Sequence, residues 1–366
     1  MLRLHSEIRG YDWGSRDFIA RVQGRPHPTA APEAELWIGA HADSPSMVDG
    51  YGRLDDLIRS APTAYLGEHT VAQFGPRLPF LTKLLAAQEP LSIQAHPSSE
   101  QASAGFNDGN KSYIDPYHKP EMLVALTPFE AFCGFRDIAA SIAALSALDL
   151  AELDPIVDAL RHGSLREAVT LIYALESPAT IVKEIADRHP TAARLAGHYP
   201  GDLGVVVTLL LNHMNLEPGQ AVWMPAGTLH SYIEGAGIEA MAASDNVLRG
   251  GLTRKVVNVP ELLQVLRFTP IEPPLVTPIA LGRGVEYWPV PVPDFRLHRI
   301  RLTEGVETAK IDPAGPRTIF CLSGRVTVTD RAGELTLSGG ESAFGAVTGG
   351  EITFTGSAAE VYLTSL

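Results

Sequence analysis

Between Phe295 and Leu366 the chain alternates apolar and polar residues, and this period of two limits the possible folds more than any other feature. The runs are Arg325-Val326-Thr327-Val328-Thr329, Glu334-Leu335-Thr336-Leu337-Ser338, Glu351-Ile352-Thr353-Phe354-Thr355 and Val361-Tyr362-Leu363-Thr364, with turns at Gly339-Gly340 and Gly349-Gly350. Successive side chains of a strand point to opposite faces, so each run presents one face to a core and one to water. Short, evenly spaced strands with glycine turns predict an antiparallel sandwich or barrel. The 33 Gly and 28 Pro among 366 residues exceed ordinary usage, as many turns require.

The rest of the chain changes character twice. Residues 1–137 read as strands and turns, with apolar runs at Leu78–Leu85, Leu91–Ala95 and Met122–Leu126 broken by Pro, Gly and Asp. From 138 to 202 apolar residues recur at intervals of three and four, in Ser141–Leu145 and Leu165–Leu175, which predicts amphipathic helices. Asp154-Pro155 and Ser177-Pro178 read as N-caps followed by a first-turn proline. Strands are expected again from Leu203, through Val205-Val206-Val207 and Leu209-Leu210-Leu211. A Pro-rich passage, Pro270 to Pro293, links this core to the last module.

Charge and cysteine usage narrow the partners. With 29 Lys+Arg against 42 Asp+Glu the net charge is −13, which disfavours nucleic acid and anionic membranes. Cys133 and Cys321 are too few for a disulfide framework or a thiolate metal site. The first residues lack the apolar core of a signal peptide, and the longest apolar stretch, Leu203 to Leu211, is too short to span a bilayer. The expectation is a soluble, cytoplasmic protein.

One constellation carries chemistry. Gly219, Pro225 and His230 follow a glycine-x5-proline-x4-histidine spacing, a turn-strand signature of the cupin, a jelly-roll double-stranded β-helix. Gln94 and His96 stand two apart and so share one face of a strand, and Glu121 opens the apolar run Met122–Leu126. Two imidazoles, a carboxylate and an amide oxygen make a divalent-metal site, although spacing alone leaves Gln94 and His118 as rivals for the fourth position. A single formal negative charge would leave the ion strongly Lewis-acidic. On these residues alone the reaction stays open: an iron oxygenase built on His96, His230 and Glu121 as two histidines and a carboxylate is one reading, and a cupin that binds a ligand without turning it over is another.

Leu91–Pro97 (LSIQAHP), Tyr117–Glu121 (YHKPE), Pro218–His230 and Ile238–Arg249 (IEAMAASDNVLR), together with Tyr11–Gly14 and Glu35–His41, resemble type I mannose-6-phosphate isomerases in order from about residue 5 to residue 266. The resemblance implies one zinc ion held by Gln94, His96, Glu121 and His230, with Arg249 as the catalytic arginine closing the Asp-Asn-Val-Leu-Arg run. It implies a mainly β fold of two cupin domains with an inserted helical domain. The boundaries are 1–137 plus 203–266 for the catalytic cupin, 138–202 for the insertion, and 267–366 for a metal-free, cupin-like module. The family usually reads Thr-Pro-Lys where this chain has Thr253-Arg254-Lys255.

The implied reaction interconverts mannose 6-phosphate and fructose 6-phosphate through a cis-enediol(ate), within GDP-mannose biosynthesis. It needs proton transfer between C1 and C2, positive charge for the enediolate oxygens, and an anchor for phosphate. Glu239 is the candidate base, with a structural ion pair to Arg249 as its alternative. Ser92, Lys83, Lys119 and Lys255 are the candidate phosphate contacts. Asp245 and Asn246 are expected to shape a turn, His118 to fix Glu121, and Trp13, Trp37 and Trp223 to lie in the core. The partner is a small sugar phosphate, and the chain is expected to be a monomer or weak homo-oligomer.

Overall fold

A computed structural model describes residues 1–366. All of its strands fall in two antiparallel sheets, of 12 and 11 strands. The 11-stranded sheet brings together segments far apart in sequence. Its long strand His230–Ala242 pairs on one side with Phe80–Ala87 and on the other with Glu121–Ala125, and its first residues pair with Phe129–Phe135 and with Gln94. Glu35–Ile38 borders Phe80–Ala87 and Leu248–Gly251 borders Ile93–Ala95. In this register Trp37, Lys83, Glu239 and Leu123 lie abreast, one per strand, and so share one face.

The alternating runs of the last module become strands of the 12-stranded sheet, within Arg317–Asp330, Gly333–Ser338, Ile352–Thr355 and Ala359–Ser365. This sheet also takes strands from the start of the chain. Leu2–His5 pairs with Ser342–Gly345, and Met47–Val48 with Gly52–Arg53 extend that edge. Thus the second sheet is not confined to residues after 266. Buried contacts join the two sheets: one apolar cluster contains Leu36, Leu84 and Met122 together with Trp288, Phe320 and Phe344.

The helical region forms as the periodicity predicts, with helices Ile138–Ser146, Asp154–Arg161, Leu165–Tyr173, Pro178–Ala186 and Pro190–His198. Their apolar stripes pack against Ile93, Ala95, Leu229 and Leu248 behind the 11-stranded sheet. Two local expectations differ. Asp154 is the first helical residue rather than the cap, and Ser177 is a cap with left-handed backbone that makes no side-chain capping bond. The run Val205–Val207, expected as a strand, lies in the helix Gly204–Thr208. Every residue of that helix is buried, and Gly204 packs so tightly on the Gly251-Leu252 backbone that burial outweighs the β preference of valine. No helix is long and apolar enough to cross a membrane.

Candidate active site

His96, Glu121 and His230 meet although 134 residues separate the first and last. Cross-strand pairing does this: His230 is opposite Gln94, and Met241 and Met224 flank Glu121 on the neighbouring strands. All three are at most 2% exposed. Glu121 Oε2 lies 3.2 Å from His96 Nε2 and 3.2 Å from His230 Nε2. Two ligands of one tetrahedral zinc, each at about 2.0–2.2 Å, stand roughly 3.4 Å apart.

The protonation pattern decides what this cluster wants. His96 Nδ1 is 2.7 Å from the Asn246 carbonyl and His230 Nδ1 is 3.0 Å from the Thr228 carbonyl, so each Nδ1–H donates to backbone. Burial pushes the His96 imidazolium down to about 4, which leaves its Nε2 as a bare lone pair at neutral pH. Burial alone would raise Glu121, yet His96, the Lys119 ammonium 3.2 Å from Oε1 and His230 together hold it well below the usual carboxylate range. Three acceptors therefore face one point, and none of His96 Nε2, Glu121 Oε2 and His230 Nε2 has a hydrogen-bond partner. Only a cation relieves that arrangement, and neutral imidazole with carboxylate suits zinc. Gln94 is half-buried, lines the same pocket and lies abreast of both His230 and Arg249.

The cluster borders a pocket of about 780 Å³. Gln94, Glu121, Glu239 and Arg249 line it, as do Lys83, Ser92, Lys119 and Lys255, so each expected substrate contact reaches one cavity. Their partners separate their roles. Lys83 Nζ is buried between Glu35 Oε1 at 3.3 Å and Glu239 Oε2 at 3.2 Å, and those two carboxylates outweigh the effect of burial to raise its pKa. Glu239 accepts from the Tyr232 hydroxyl at 2.7 Å and pairs with Lys83, not with Arg249. Burial raises its carboxyl pKa, against the lowering by Lys83. Arg249 Nη1 donates to Ser92 Oγ at 3.0 Å and has no carboxylate partner. Lys255 likewise has no ion pair.

Several residues fall outside what sequence reasoning assigned. Glu35 accepts from Trp37 Nε1 at 2.8 Å and from Lys83, and Trp37 and Trp13 line the pocket instead of serving only as core. The signal was available: Glu35 and Trp37 stand two apart on a strand. His41 Nε2 lies 3.3 Å from Asp245 Oδ2, on the same wall. His118 does not touch Glu121; its Nε2 is 3.0 Å from Asp294 Oδ1, across in the other part of the chain. Asn246 does shape the turn, donating to the Asp115 and Tyr117 carbonyls.

The comparisons with known proteins agree with this geometry. A family profile described as phosphomannose isomerase type I, catalytic domain, matches residues 1–138. Mannose-6-phosphate isomerase of Escherichia coli (strain K12) is 34% identical over 386 residues, covering 97% of each chain. The mannose-6-phosphate isomerase of Ogataea parapolymorpha is 31% identical, covering 100% of this chain and 95% of its own. An arginine-to-alanine variant of phosphomannose isomerase from Salmonella typhimurium superposes with TM-score 0.91 at 32% identity, covering 100% of this chain and 99% of that one. A mannose 6-phosphate isomerase bound with zinc and yttrium superposes with TM-score 0.90 at 32% identity and the same coverage. Across nearly its whole length, then, the chain is a member of the type I phosphomannose isomerase family.

Proposed function

We propose that the chain interconverts mannose 6-phosphate and fructose 6-phosphate with one zinc ion held by Gln94, His96, Glu121 and His230. The observation that carries this is the convergence of three buried, partnerless acceptor atoms on one point beside a polar pocket. Bound there, zinc supplies Lewis acidity that lowers the free energy of negative charge on sugar oxygens.

The chain's own groups supply the rest. Glu239, with its carboxyl raised by burial, is the proton carrier between C1 and C2, and a carboxyl raised toward neutrality suits that task. Lys83 and Tyr232 hold its two oxygens and so fix its lone pairs toward the cavity. Arg249, oriented by Ser92, presents a permanent cation to the enediolate oxygens. Lys119 keeps Glu121 ionised. Lys83 and Lys119 already face carboxylates, which leaves Lys255 as the phosphate contact among the lysines expected from sequence. We read the two sheets as two cupin-type barrels, the second without metal, with 138–202 as the helical insertion.

Dialysis against a chelator followed by metal add-back tests the reading. Turnover of mannose 6-phosphate should vanish and return with zinc; full activity in metal-stripped protein would refute it. The named relatives are isomerases, which favours this reading over an oxygenase or a non-catalytic sugar-phosphate binder.

A further inference from the structure

The charges lining the pocket divide by partner. Most of its acidic groups are engaged: Glu35 and Glu239 hold Lys83, Glu121 faces Lys119, Asp245 lies 3.3 Å from His41, and Glu89 lies 3.6 Å from His198, whereas Asp12 and Asp43 make no ion pair. Three of the cations that line it have no carboxylate partner, namely Arg249, Arg254 and Lys255. In a chain of net charge −13, a set of unpaired cations is a local field suited to an anion. Arg254 is the unassigned member. Its head group makes no hydrogen bond or ion pair within the protein, and it lines the pocket together with Tyr199.

The backbone that carries Arg254 is held firmly. Asp202 Oδ2 accepts from Thr253 N at 2.9 Å while Oδ1 accepts from Gly204 N at 2.7 Å. The Tyr173 hydroxyl donates to the Gly250 carbonyl at 2.7 Å. Leu252, fully buried, keeps a left-handed φ of 49°, and a Cβ on Gly251 would sit 2.4 Å from the Gly204 Cα. A non-glycine residue stays in that conformation only when its surroundings over-determine it. The loop after Leu248–Gly251, braced by Tyr173 and Asp202, therefore presents an exposed guanidinium from a rigid base, which reduces the ordering entropy of ligand capture.

We infer that Arg254 is a specificity-determining residue of this chain, contributing a bidentate guanidinium contact to the 6-phosphate beside Lys255. The inference rests on the isomerase reading for the identity of the ligand. A planar fork matches two phosphate oxygens in a way an ammonium cannot, so arginine selects a phosphorylated sugar over the free hexose.

Two measurements on the zinc-loaded chain test it: steady-state kinetics with mannose 6-phosphate, and calorimetric binding of inorganic phosphate, which needs no turnover. Arg254→Ala should raise KM roughly ten- to hundredfold, with most of the loss in KM, and weaken phosphate binding by a similar factor. Arg254→Lys should recover part of both, and Arg188→Ala, a surface arginine distant in sequence, should change neither. Arg254 is exposed, so an unchanged melting temperature checks folding. KM and phosphate affinity within twofold of the unmodified chain in Arg254→Ala, or equal losses in Arg188→Ala, overturn the inference. Phosphate binding that depends on Arg254 in a chain inactive on mannose 6-phosphate would sink the isomerase reading and leave the anion site standing.

Discussion

Lys83 shows how a residue's meaning depends on partners that sequence does not display. Read alone it is a spare cation for phosphate; in the fold it is clasped by Glu35 and Glu239, which reach it from strands 48 and 156 positions away. Removing it strands two buried carboxylates. Lys83→Met should therefore destabilise the chain by about 3–5 kcal/mol in urea titration, beyond any loss of activity. For Glu239 the expectation is kinetic. Its pKa is raised, so the base form is lost as pH falls through a value above the ordinary 4.5, and kcat/KM of the unmodified enzyme should decline on that acid side. Glu239→Gln should lower kcat by about two orders of magnitude or more and flatten that limb. A retained limb would assign the proton transfer to another group. By contrast the residues that meet in the fold, His96, Glu121 and His230, stand out in the sequence, because Gln94 and His96 stand two apart, and Glu121 and His230 each open a run of strand residues. The rivalry of His118 was not resolvable from spacing: its ring turns to Asp294, more than 170 residues downstream.

At the level of elements, alternation identified the strands of the last module, and three-to-four periodicity the helices between 138 and 198. What failed was the helix Gly204–Thr208, where close packing on Gly251 decides the backbone against local preference. That contact is testable. Gly251→Ala places a Cβ against Gly204 at a φ of 129° and should cost at least about 2 kcal/mol of stability, seen as a lowered unfolding midpoint. A second expectation concerns the tie between the helical region and the sheet. Glu130 accepts from Arg194 on the helix Pro190–His198 and lies 2.7 Å from His213 Nε2 on the strand Leu211–Leu216. Burial raises its carboxyl, yet His213 and Arg194 outweigh that and hold it at about 2. A depressed carboxyl adds stability that is present above the unfolded value near 4.5 and fades as pH falls toward 2. Glu130→Gln should consequently lower stability at pH 7 and narrow the gap to the unmodified chain across that acid window. Parallel curves at all pH values would remove Glu130 from the account.

Over the whole molecule, the two sheets share a core and a buried hydroxyl cluster, in which Thr82 Oγ1 lies 2.9 Å from Thr318 Oγ1 and 2.7 Å from Thr364 Oγ1. Thr82 belongs to the sheet that carries Glu121 and His230, and Thr318 and Thr364 to the other. The linear order of modules did not reveal this continuity, because it rests on contacts such as Thr82 with Thr318, 236 positions apart. The joint core predicts one cooperative unfolding transition by calorimetry; two resolved transitions would show that the sheets unfold separately. The pocket is lined by Glu35–Ile38, Phe80–Ala87, His230–Ala242 and Leu248–Gly251 of the 11-stranded sheet and by His198 and Tyr199 at the end of the last helix of the helical region, so the proposed metal site is where the structure and the chemistry meet. Anomalous diffraction at the zinc edge from crystals of the zinc-loaded chain tests this most directly. The account predicts a single strong peak within about 2.0–2.2 Å of His96 Nε2, Glu121 Oε2 and His230 Nε2, with Gln94 completing the shell. A peak elsewhere, or none at that point in protein that still isomerises mannose 6-phosphate, would contradict it.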